Sequence, residues 1–409
     1  MNGHFLPGLD VLAGSRRNWI KGKRIGLVSH PAAISSQGAP ATEVLLKANA
    51  KITALFGPEH GFFGTETAGH PVKSNVHPQL KIPVYSLYGS TRKPAPEMLD
   101  KVDALVFDLQ DLGVRTYTYV STLRNILDAA AQSGKEVIVA DRPIPLPRII
   151  DGPMLDPKFA SFVAGIPAPM CYGMTPGEIS LLLKHDLNLE VDLKIAKMQN
   201  YSRQSRREKD WPPWIPPSPG IRSWETGYCY PATVFSEALP VVNIARNSNL
   251  IFQVFSIPGI KSKVLCKILN RLNLPGVNFY SHPYKLELPR TPQQSEAATF
   301  PACSRGTLLP RSSNIFDGVR MVVHNPDLFH PVTTSIFIIS TIQKIGGVDL
   351  VWKHKGTREN FFDKLYGTNQ VRLALQAGEP PKEIIRSWQR PLAKFNSVRR
   401  RFLLYADKL

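Results

Sequence analysis

Cysteine is scarce in this sequence. Its 409 residues include four cysteines, which lie far apart and form no CxxC pair. This spacing excludes a dense disulfide framework and the usual cysteine-based zinc or redox sites. We therefore expect buried free thiols.

Long apolar runs are also missing. No segment reaches the roughly 18 apolar residues that a membrane span requires, and Met1–Leu12 lacks a basic start followed by an apolar stretch. We predict no membrane span and a cytoplasmic location for the chain as given. A periplasmic or secreted location is the alternative if the start is truncated.

Three common catalytic motifs are absent. The sequence has no GxGxxG after its first predicted strand, no GxxxxGK[ST] loop and no GxSxG elbow. The sequence therefore lacks the motifs that usually indicate dinucleotide binding, P-loop phosphoryl transfer and α/β-hydrolase chemistry. A metal site built from Glu59, His60, His70 and His77 would match no known ligand spacing. We predict no cofactor and no metal.

Acidic residues are outnumbered by basic residues. The chain has 50 Lys and Arg against 32 Asp and Glu, and its net charge of +18 favours encounter with anionic partners. Nucleic acid, an anionic membrane and an acidic glycan all fit this charge. No zinc-finger spacing or aromatic RNA-binding pattern accompanies it, so we expect no nucleic-acid partner.

Strand-like and helix-like segments alternate in the first half of the chain. Short apolar runs ended by polar or turn residues predict buried strands, and apolar residues at helical spacing predict helices between them. The predicted strands are Arg24–Ser29, Lys51–Gly57, Pro83–Tyr88, Ala104–Asp111 and Glu136–Asp141, and the helices are Ala41–Ala48, Pro96–Lys101 and Tyr119–Ser133. This alternation predicts an α/β fold with a mostly parallel sheet covered on both faces.

The pattern changes after Trp211–Pro219. This stretch, WPPWIPPSP, cannot form a helix interior and indicates a boundary or a rigid covering loop. Beyond it we predict an α+β domain with strands at Leu250–Ser256 and Gly318–His324, helices at Ser262–Leu272, Thr333–Ile345 and Pro381–Phe395, and a long surface connection from Ser281 to Ser313. The predicted domains are residues 1–225 and 226–409.

Polar clusters follow three of the predicted strands. They are Pro58-Glu59-His60-Gly61, Asp108-Leu109-Gln110-Asp111 and Asp141-Arg142-Pro143. Ligands of open α/β sheets bind outside the carboxyl ends of the strands. The sequence therefore predicts that these clusters meet in one crevice.

Glu59 is the main candidate for catalysis. It lies on a turn with Gly61 and Gly64, and a partly apolar pocket near Phe62 and Phe63 would favour its protonated form as a general acid. A helix-capping or salt-bridged glutamate is the structural alternative.

A second carboxylate is normally needed for glycoside hydrolysis. Asp108, Asp111 and Asp141 are the candidates at neighbouring strand ends. A structural role is an equal alternative, since Asp108 could cap the next segment and Asp141 could pair with Arg142 or Arg115.

Tyrosines near these clusters suit a sugar ligand. Tyr85, Tyr88, Tyr117 and Tyr119 combine an aromatic face with a hydroxyl group, which fits the apolar faces and polar edges of a sugar ring. Packing in the core is the alternative use of such residues.

A series of ordered blocks extends from about Leu9 to the C-terminal tail. It includes FGPEHGFFG, IPVYSLYGSTRKPAPEML, VFDLQDLGVRTYTYVSTL, ADRPIPL, DGPMLDPKFASFVAG, YGMTPGE, PPSPGI, YPAT and FDKLYGTNQVRLALQAGEPPKEIIRSW. These blocks resemble those of the NamZ family of exo-acting β-N-acetylmuramidases, and the likeness covers nearly the whole chain. The resemblance implies a Rossmann-like, mostly parallel sheet domain joined to a smaller α+β auxiliary domain.

The resemblance also implies a function in peptidoglycan turnover and cell wall recycling. The family releases terminal N-acetylmuramic acid from the non-reducing ends of peptidoglycan fragments. Its proposed catalytic glutamate and assisting tyrosine correspond to Glu59 in GPEHG and Tyr85 in PVYSLYG, and Asp108 is a further catalytic candidate.

Binding of the sugar is expected from a wider set of residues. An arginine would bind the lactyl carboxylate of N-acetylmuramic acid in a bidentate manner, with Arg115, Arg142 and Arg246 as candidates. The expected substrate-binding residues are His60, Gln110, Asp111, Arg115, Tyr117, Asp141, Arg142, Tyr172 and Arg246.

Several positions depart from the family pattern. The chain has His30, Ile144 and Gly220 where the family usually has Asn, and Tyr172 where it has His. The block VVNIARNSNLIF keeps Arg246 but lacks the family's glycines. Loss of hydrogen-bonding groups weakens recognition when their partners stay unpaired. A catalytically weak or inactive carbohydrate-binding protein is therefore the alternative to the glycosidase.

Overall fold

The structure is a computed structural model that describes residues 3–67, 69–204, 206–246, 248–285 and 315–406. The chain forms two compact units, each assembled from segments that are distant in sequence. The first unit contains Met1–Arg148, Gly173–Pro219 and Ser397–Leu409, and the second contains Ile149–Tyr172 and Gly220–Asn396. The contiguous division into residues 1–225 and 226–409 stays a prediction.

The secondary structure follows the apolar pattern of the sequence. The strands are β1 (Arg24–Ser29), β2 (Lys51–Gly57), β3 (Asn75–Val76), β4 (Pro83–Ser86), β5 (Ala104–Asp108), β6 (Glu136–Ala140), β7 (Asp151–Met154), β8 (Pro169–Cys171), β9 (Leu193–Ala196), β10 (Val254–Phe255), β11 (Val277–Lys285) and β12 (Ile315–Val323). The helices are α1 (Gly8–Ala13), α2 (Ala41–Lys47), α3 (Pro96–Leu99), α4 (Tyr119–Ser133), α5 (Pro176–Asp186), α6 (Trp224–Thr233), α7 (Ser262–Arg271), α8 (Pro331–Gly346), α9 (Val348–Trp352), α10 (Glu359–Tyr366), α11 (Gln370–Gln376) and α12 (Pro381–Arg399).

A seven-stranded sheet forms the centre of the first unit, with the strand order β3-β4-β2-β1-β5-β6-β9. Strand β3 is antiparallel to β4, and the other pairs are parallel. The predicted α/β fold with a mostly parallel sheet is confirmed. The short edge strands β3 and β9 were not predicted, because neither is a continuous apolar run.

The inner strands are buried on both faces. Every residue of β5 (ALVFD) and β6 (EVIVA) is buried, as expected for parallel strands with helices on both sides. Helix α4 has the predicted bounds, and it ends at Gly134, whose φ of 62° is left-handed.

The chain order of the strands predicts where a ligand binds. From β1 the chain continues to β2 on one side, whereas β5 lies on the other side of β1. In open α/β sheets, ligands bind outside the carboxyl ends of the strands at such a change of direction, which here lies at β1 and β5. The segments after β1, β2, β5 and β6 reach this edge of the sheet.

The second unit is an α+β arrangement. It contains the antiparallel sheet β10-β12-β11, the two-stranded sheet β7-β8, the helices α6 to α11 and most of α12. The predicted surface connection from Ser281 to Ser313 is wrong at its start, because Ser281 to Lys285 pair with β12. The rest of that prediction lies outside the described residues.

Three cysteines are buried and are not part of a disulfide, as predicted: Cys171, Cys229 and Cys266. Cys303 lies outside the described residues. Among the helices of the described ranges, none has the length and apolar character needed to cross a membrane.

Candidate functional site

The carboxyl edge of the main sheet gathers polar side chains from neighbouring strands. His30 follows β1, Glu59 follows β2, Gln110 follows β5 and Arg142 follows β6. The backbone amide of Gln110 donates to Nε2 of His30 over 2.9 Å, which links the first and third of these segments.

Glu59 is half-buried on the turn after β2. Its Oε1 accepts a hydrogen bond from the backbone amide of Gly69 over 2.8 Å, and its Oε2 accepts one from Oγ1 of Thr118 over 2.6 Å. Both donors are uncharged. Glu59 is therefore a carboxyl group held by neutral donors at the carboxyl edge of the main sheet.

His60 shapes the turn beside Glu59. Its φ is 71°, a left-handed conformation that is uncommon for residues other than glycine. The ring Nδ1 donates to the backbone oxygen of Glu66 over 2.8 Å, and the amide of Glu66 donates back to the backbone oxygen of His60 over 3.1 Å. These two bonds hold an unusual backbone geometry next to the candidate catalytic group.

Tyr85 lies on β4, the strand beside β2. It pairs in register with Phe56, and the two ring centroids are 5.4 Å apart. Tyr85 and His60 line a shallow depression that also includes Phe63 and Lys73. The carboxyl oxygens of Glu59 bond instead to Gly69 and Thr118, so this depression is not lined by Glu59.

Asp108 is paired with Arg142. Nε and Nη2 of Arg142 donate to the two carboxylate oxygens of Asp108 over 2.5 and 3.1 Å, and both side chains are buried. Burial raises the pKa of Asp108, and the charge and hydrogen bonds of Arg142 oppose this rise. This pairing favours a structural role for Asp108, which was the alternative to a catalytic one.

Asp141 is fully buried and accepts four hydrogen bonds. The backbone amides of Arg142 and Gly177 donate to Oδ1, and the hydroxyl groups of Thr175 and Tyr405 donate to Oδ2, over 2.6 to 3.0 Å. Burial raises the pKa of Asp141 to about 7, although three of these hydrogen bonds act in the opposite direction. The carboxyl group therefore joins β6, the start of α5 and the C-terminal segment.

His30 is a neutral bridge. Burial and the nearby charge of Arg142 lower its pKa to about 3. In the tautomer with a proton on Nδ1, the ring donates to the backbone oxygen of Pro217 over 3.3 Å and accepts from the amide of Gln110. A neutral imidazole thus offers one donor and one acceptor, as an asparagine amide does.

Gln110 and Asp111 stabilise the turn after β5. Nε2 of Gln110 donates to the backbone oxygens of Asp111 and Pro143 over 3.0 and 2.7 Å. The amide of Leu112 donates to Oδ1 of Asp111 over 2.6 Å. Both side chains are buried, so each has a structural function in this turn.

The next predicted residues lie deeper in the first unit. Arg115 is fully buried and Tyr117 is buried, and the ring centroids of Tyr117 and Tyr119 are 4.7 Å apart. Burial raises the pKa of both tyrosines. The hydroxyl of Tyr119 donates to the backbone oxygen of Pro217 over 2.5 Å.

Two predicted residues belong to the second unit. Tyr172 is fully buried. Nη2 of Arg246 lies 3.3 Å from Oε1 of Glu237, and both side chains are partly exposed.

Sequence reasoning missed three groups near Glu59 and His30. Thr118 and Gly69 hold the carboxyl group of Glu59, and Pro217 accepts from both Tyr119 and His30. The proline-rich stretch was a signal for the segment that contains Pro217. Nothing in the sequence marked Thr118, because its partner is 59 positions away.

The fold and family comparisons place the chain among the glycosidases. The family model for the N-terminal part of the exo-β-N-acetylmuramidase NamZ matches residues 25–225, and the model for the C-terminal part matches residues 228–405. The chain belongs to the NamZ exo-β-N-acetylmuramidase family.

Individual relatives agree with this assignment. The chain is 36% identical over 400 residues to the peptidoglycan β-N-acetylmuramidase NamZ of Bacillus subtilis (strain 168), covering 97% of this chain and 91% of the relative. A crystal structure of a DUF1343 family protein from Bacteroides fragilis NCTC 9343 is similar with a TM-score of 0.86, at 28% identity, over 98% of this chain and 99% of that one. A second DUF1343 protein from the same organism has a TM-score of 0.73 at 26% identity, over 99% and 100% of the two chains.

Proposed function

We propose that this protein is an exo-acting glycosidase that releases terminal N-acetylmuramic acid from peptidoglycan fragments, with Glu59 as the general acid. The observation that carries the proposal is the state of the Glu59 carboxyl group. It is half-buried and has one neutral donor on each oxygen, whereas Asp108 is paired with an arginine and Asp141 accepts four hydrogen bonds. Family membership and the 36% identity to a peptidoglycan β-N-acetylmuramidase support the substrate class.

Glu59 acts in its protonated form. It transfers its proton to the glycosidic oxygen while the bond from that oxygen to C1 of the muramic acid breaks, and the electron pair of the bond stays on the departing oxygen. An oxocarbenium-like centre forms at C1. The hydroxyl of Thr118 then stabilises the carboxylate that remains on Glu59.

In the second step the acetamido oxygen of the substrate bonds to C1 and stabilises the oxocarbenium-like centre. Water then attacks C1 and gives one proton to the carboxylate of Glu59, while the bond between C1 and the acetamido oxygen breaks. Substrate-assisted reactions are known exceptions to the two-carboxylate rule. The buried ion pair with Arg142 leaves Asp108 poorly suited to attack C1, and the four hydrogen bonds have the same effect on Asp141. Tyr85 assists from β4, where its half-buried ring lies beside the Glu59 turn.

The test compares Glu59→Gln with Glu66→Gln, which removes a second glutamate from the same loop. Release of N-acetylmuramic acid from a muramic acid–glucosamine disaccharide is followed by product analysis. We expect Glu59→Gln to lower kcat by about 10²- to 10⁴-fold, the usual contribution of a general acid. The Glu66→Gln variant should keep most of its activity. Full turnover by Glu59→Gln would remove this residue from the mechanism.

A carbohydrate-binding protein without hydrolysis is the second candidate. It is favoured by the number of strand-end groups already bonded to protein partners, which include His30, Asp108 and Asp141. Calorimetric binding of the disaccharide to the wild-type protein, with no product after prolonged incubation, would support this function. Steady release of the terminal sugar would reject it.

A further inference from the structure

Thr118 occupies the N-cap position of α4, but its side chain does not cap the helix. A threonine at this position usually accepts a hydrogen bond from an amide two or three residues ahead. Thr118 forms no such side-chain bond. Its Oγ1 donates instead to Oε2 of Glu59 over 2.6 Å, a length typical of a hydroxyl bonded to a charged acceptor.

The position of the Thr118 hydroxyl is fixed by its surroundings. The side chain is 6% exposed. The backbone oxygen of Thr118 accepts from both the amide and the hydroxyl of Thr122, over 3.0 and 3.2 Å. A β-branched side chain also has few χ1 rotamers. The donor therefore has little freedom to follow Glu59 if that carboxyl group turns.

The two oxygens of Glu59 have different environments. Oε2 is held by the hydroxyl of buried Thr118. Oε1 is held by the amide of Gly69 in an exposed loop. A ligand can displace an exposed amide more readily than a buried hydroxyl. Oε1 is therefore the oxygen that can face a substrate.

We propose that Thr118 is a positioning residue that holds Oε2 of Glu59, so that Oε1 carries the proton given to the glycosidic oxygen. This inference rests on the proposed function, because it assigns a task to the general acid. The proton moves from Oε1 to the glycosidic oxygen as the C1–O bond breaks. Thr118 keeps donating to Oε2 throughout and stabilises the carboxylate that is formed.

The test compares Thr118→Val, which keeps the shape but removes the hydroxyl, with Thr118→Ser, which keeps the hydroxyl. On a disaccharide, whose sugar is a poor leaving group, we expect Thr118→Val to lower kcat by about 10- to 100-fold with KM little changed, equivalent to one hydrogen bond to a charged group. On a 4-nitrophenyl glycoside, which leaves without protonation, the loss should be several times smaller. Thr118→Ser should restore most of the activity.

Equal losses on both substrates, or no rescue by serine, would overturn the inference. Unchanged thermal unfolding of Thr118→Val confirms that the variant is folded.

The failure of this inference can be distinguished from failure of the proposed function. An active wild type, an inactive Glu59→Gln and a fully active Thr118→Val would overturn the role of Thr118 alone. No product from the wild-type protein would overturn both.

Discussion

Arg142 donates a bidentate pair of hydrogen bonds to Asp108, and the two side chains are 3% and 0% exposed. The guanidinium group also donates to the backbone oxygen of Ile34 over 3.0 Å. The pair links the ends of β5 and β6 to the segment that follows β1. It is a structural element of the same sheet edge that holds Glu59.

Removal of the Asp108 charge should destabilise the protein. Asp108→Asn leaves the guanidinium of Arg142 buried without its counter-charge, and we expect a loss of about 3 to 5 kcal/mol in the free energy of unfolding. Urea unfolding measures this loss. The control is Asp103→Asn, which breaks the exposed pair with Arg24 and should change stability little. Equal effects of the two variants would contradict the structural role of the buried pair.

Asp141 should make stability depend on pH in one direction. Its native pKa of about 7 lies above its ordinary value of 3.8, so the native state binds more protons than the unfolded state between these values. Its contribution is fully present below about pH 4 and is lost as the pH rises through about 7. Asp141→Asn removes the titration and keeps an oxygen acceptor for the amides of Arg142 and Gly177.

The measurement is urea unfolding of both proteins from pH 4 to pH 8. The stability of the wild type relative to Asp141→Asn should fall across this range, and the exposed Asp100→Asn serves as the control. A difference that is constant, or that rises with pH, would contradict the assignment.

His30 should make stability depend on pH in the opposite direction. Its native pKa of about 3 lies below its ordinary value of 6.5, so its contribution to stability is lost as the pH falls from about 6.5 to about 3. His30→Asn keeps a donor and an acceptor. It should abolish the loss of stability at acid pH and change stability little near neutral pH. His30→Ala should lower the free energy of unfolding by about 1 to 3 kcal/mol, because the buried amide of Gln110 loses its acceptor.

Thermal unfolding of both His30 variants at pH 5 and pH 8 tests this prediction. If His30→Asn is as unstable as His30→Ala at pH 8, the ring does not act as a neutral hydrogen-bonding bridge.

The hydroxyl of Tyr85 should affect catalysis more than stability. Tyr85→Phe keeps the ring contact with Phe56 and removes only the phenol oxygen. We expect kcat on the disaccharide to fall by roughly 10- to 100-fold, a contribution at the lower end of acid–base assistance. The control is Tyr280→Phe, which alters an exposed tyrosine on β11. An unchanged kcat with Tyr85→Phe would remove the tyrosine from the reaction.

Much of the first unit could be predicted from local sequence. The bounds of β1, β2 and α4 agree with the predicted ones. The spacing of apolar residues and the turn residues that end an element can both be read from neighbouring positions in the sequence. Strands β4, β5 and β6 end one to three residues earlier than predicted. The last residues of these predicted strands leave the sheet and enter the turns at its carboxyl edge.

The sequence predicted which strand ends share one edge of the sheet, but not the contacts of their side chains. The segments that follow β2, β5 and β6 do reach one edge of the sheet. The sequence did not distinguish the half-buried Glu59 from the ion-paired Asp108 or the fully bonded Asp141. All three are carboxyl groups at strand ends, and only burial and partners separate them.

The amino-acid sequence by itself determined the α/β class, the strands that lead to the site edge and the membership of the chain in its family. Only the tertiary structure decided which carboxyl group is held by a neutral hydroxyl and which is neutralised by a buried cation. The bond from Thr118 to Glu59 spans 59 positions, and the pair of Arg142 and Asp108 spans 34. Such partners meet only after the sheet has brought its strand ends together, because hydrogen bonds act over a few ångströms. Contacts of this kind produce no regular spacing of residues that could be recognised in the sequence.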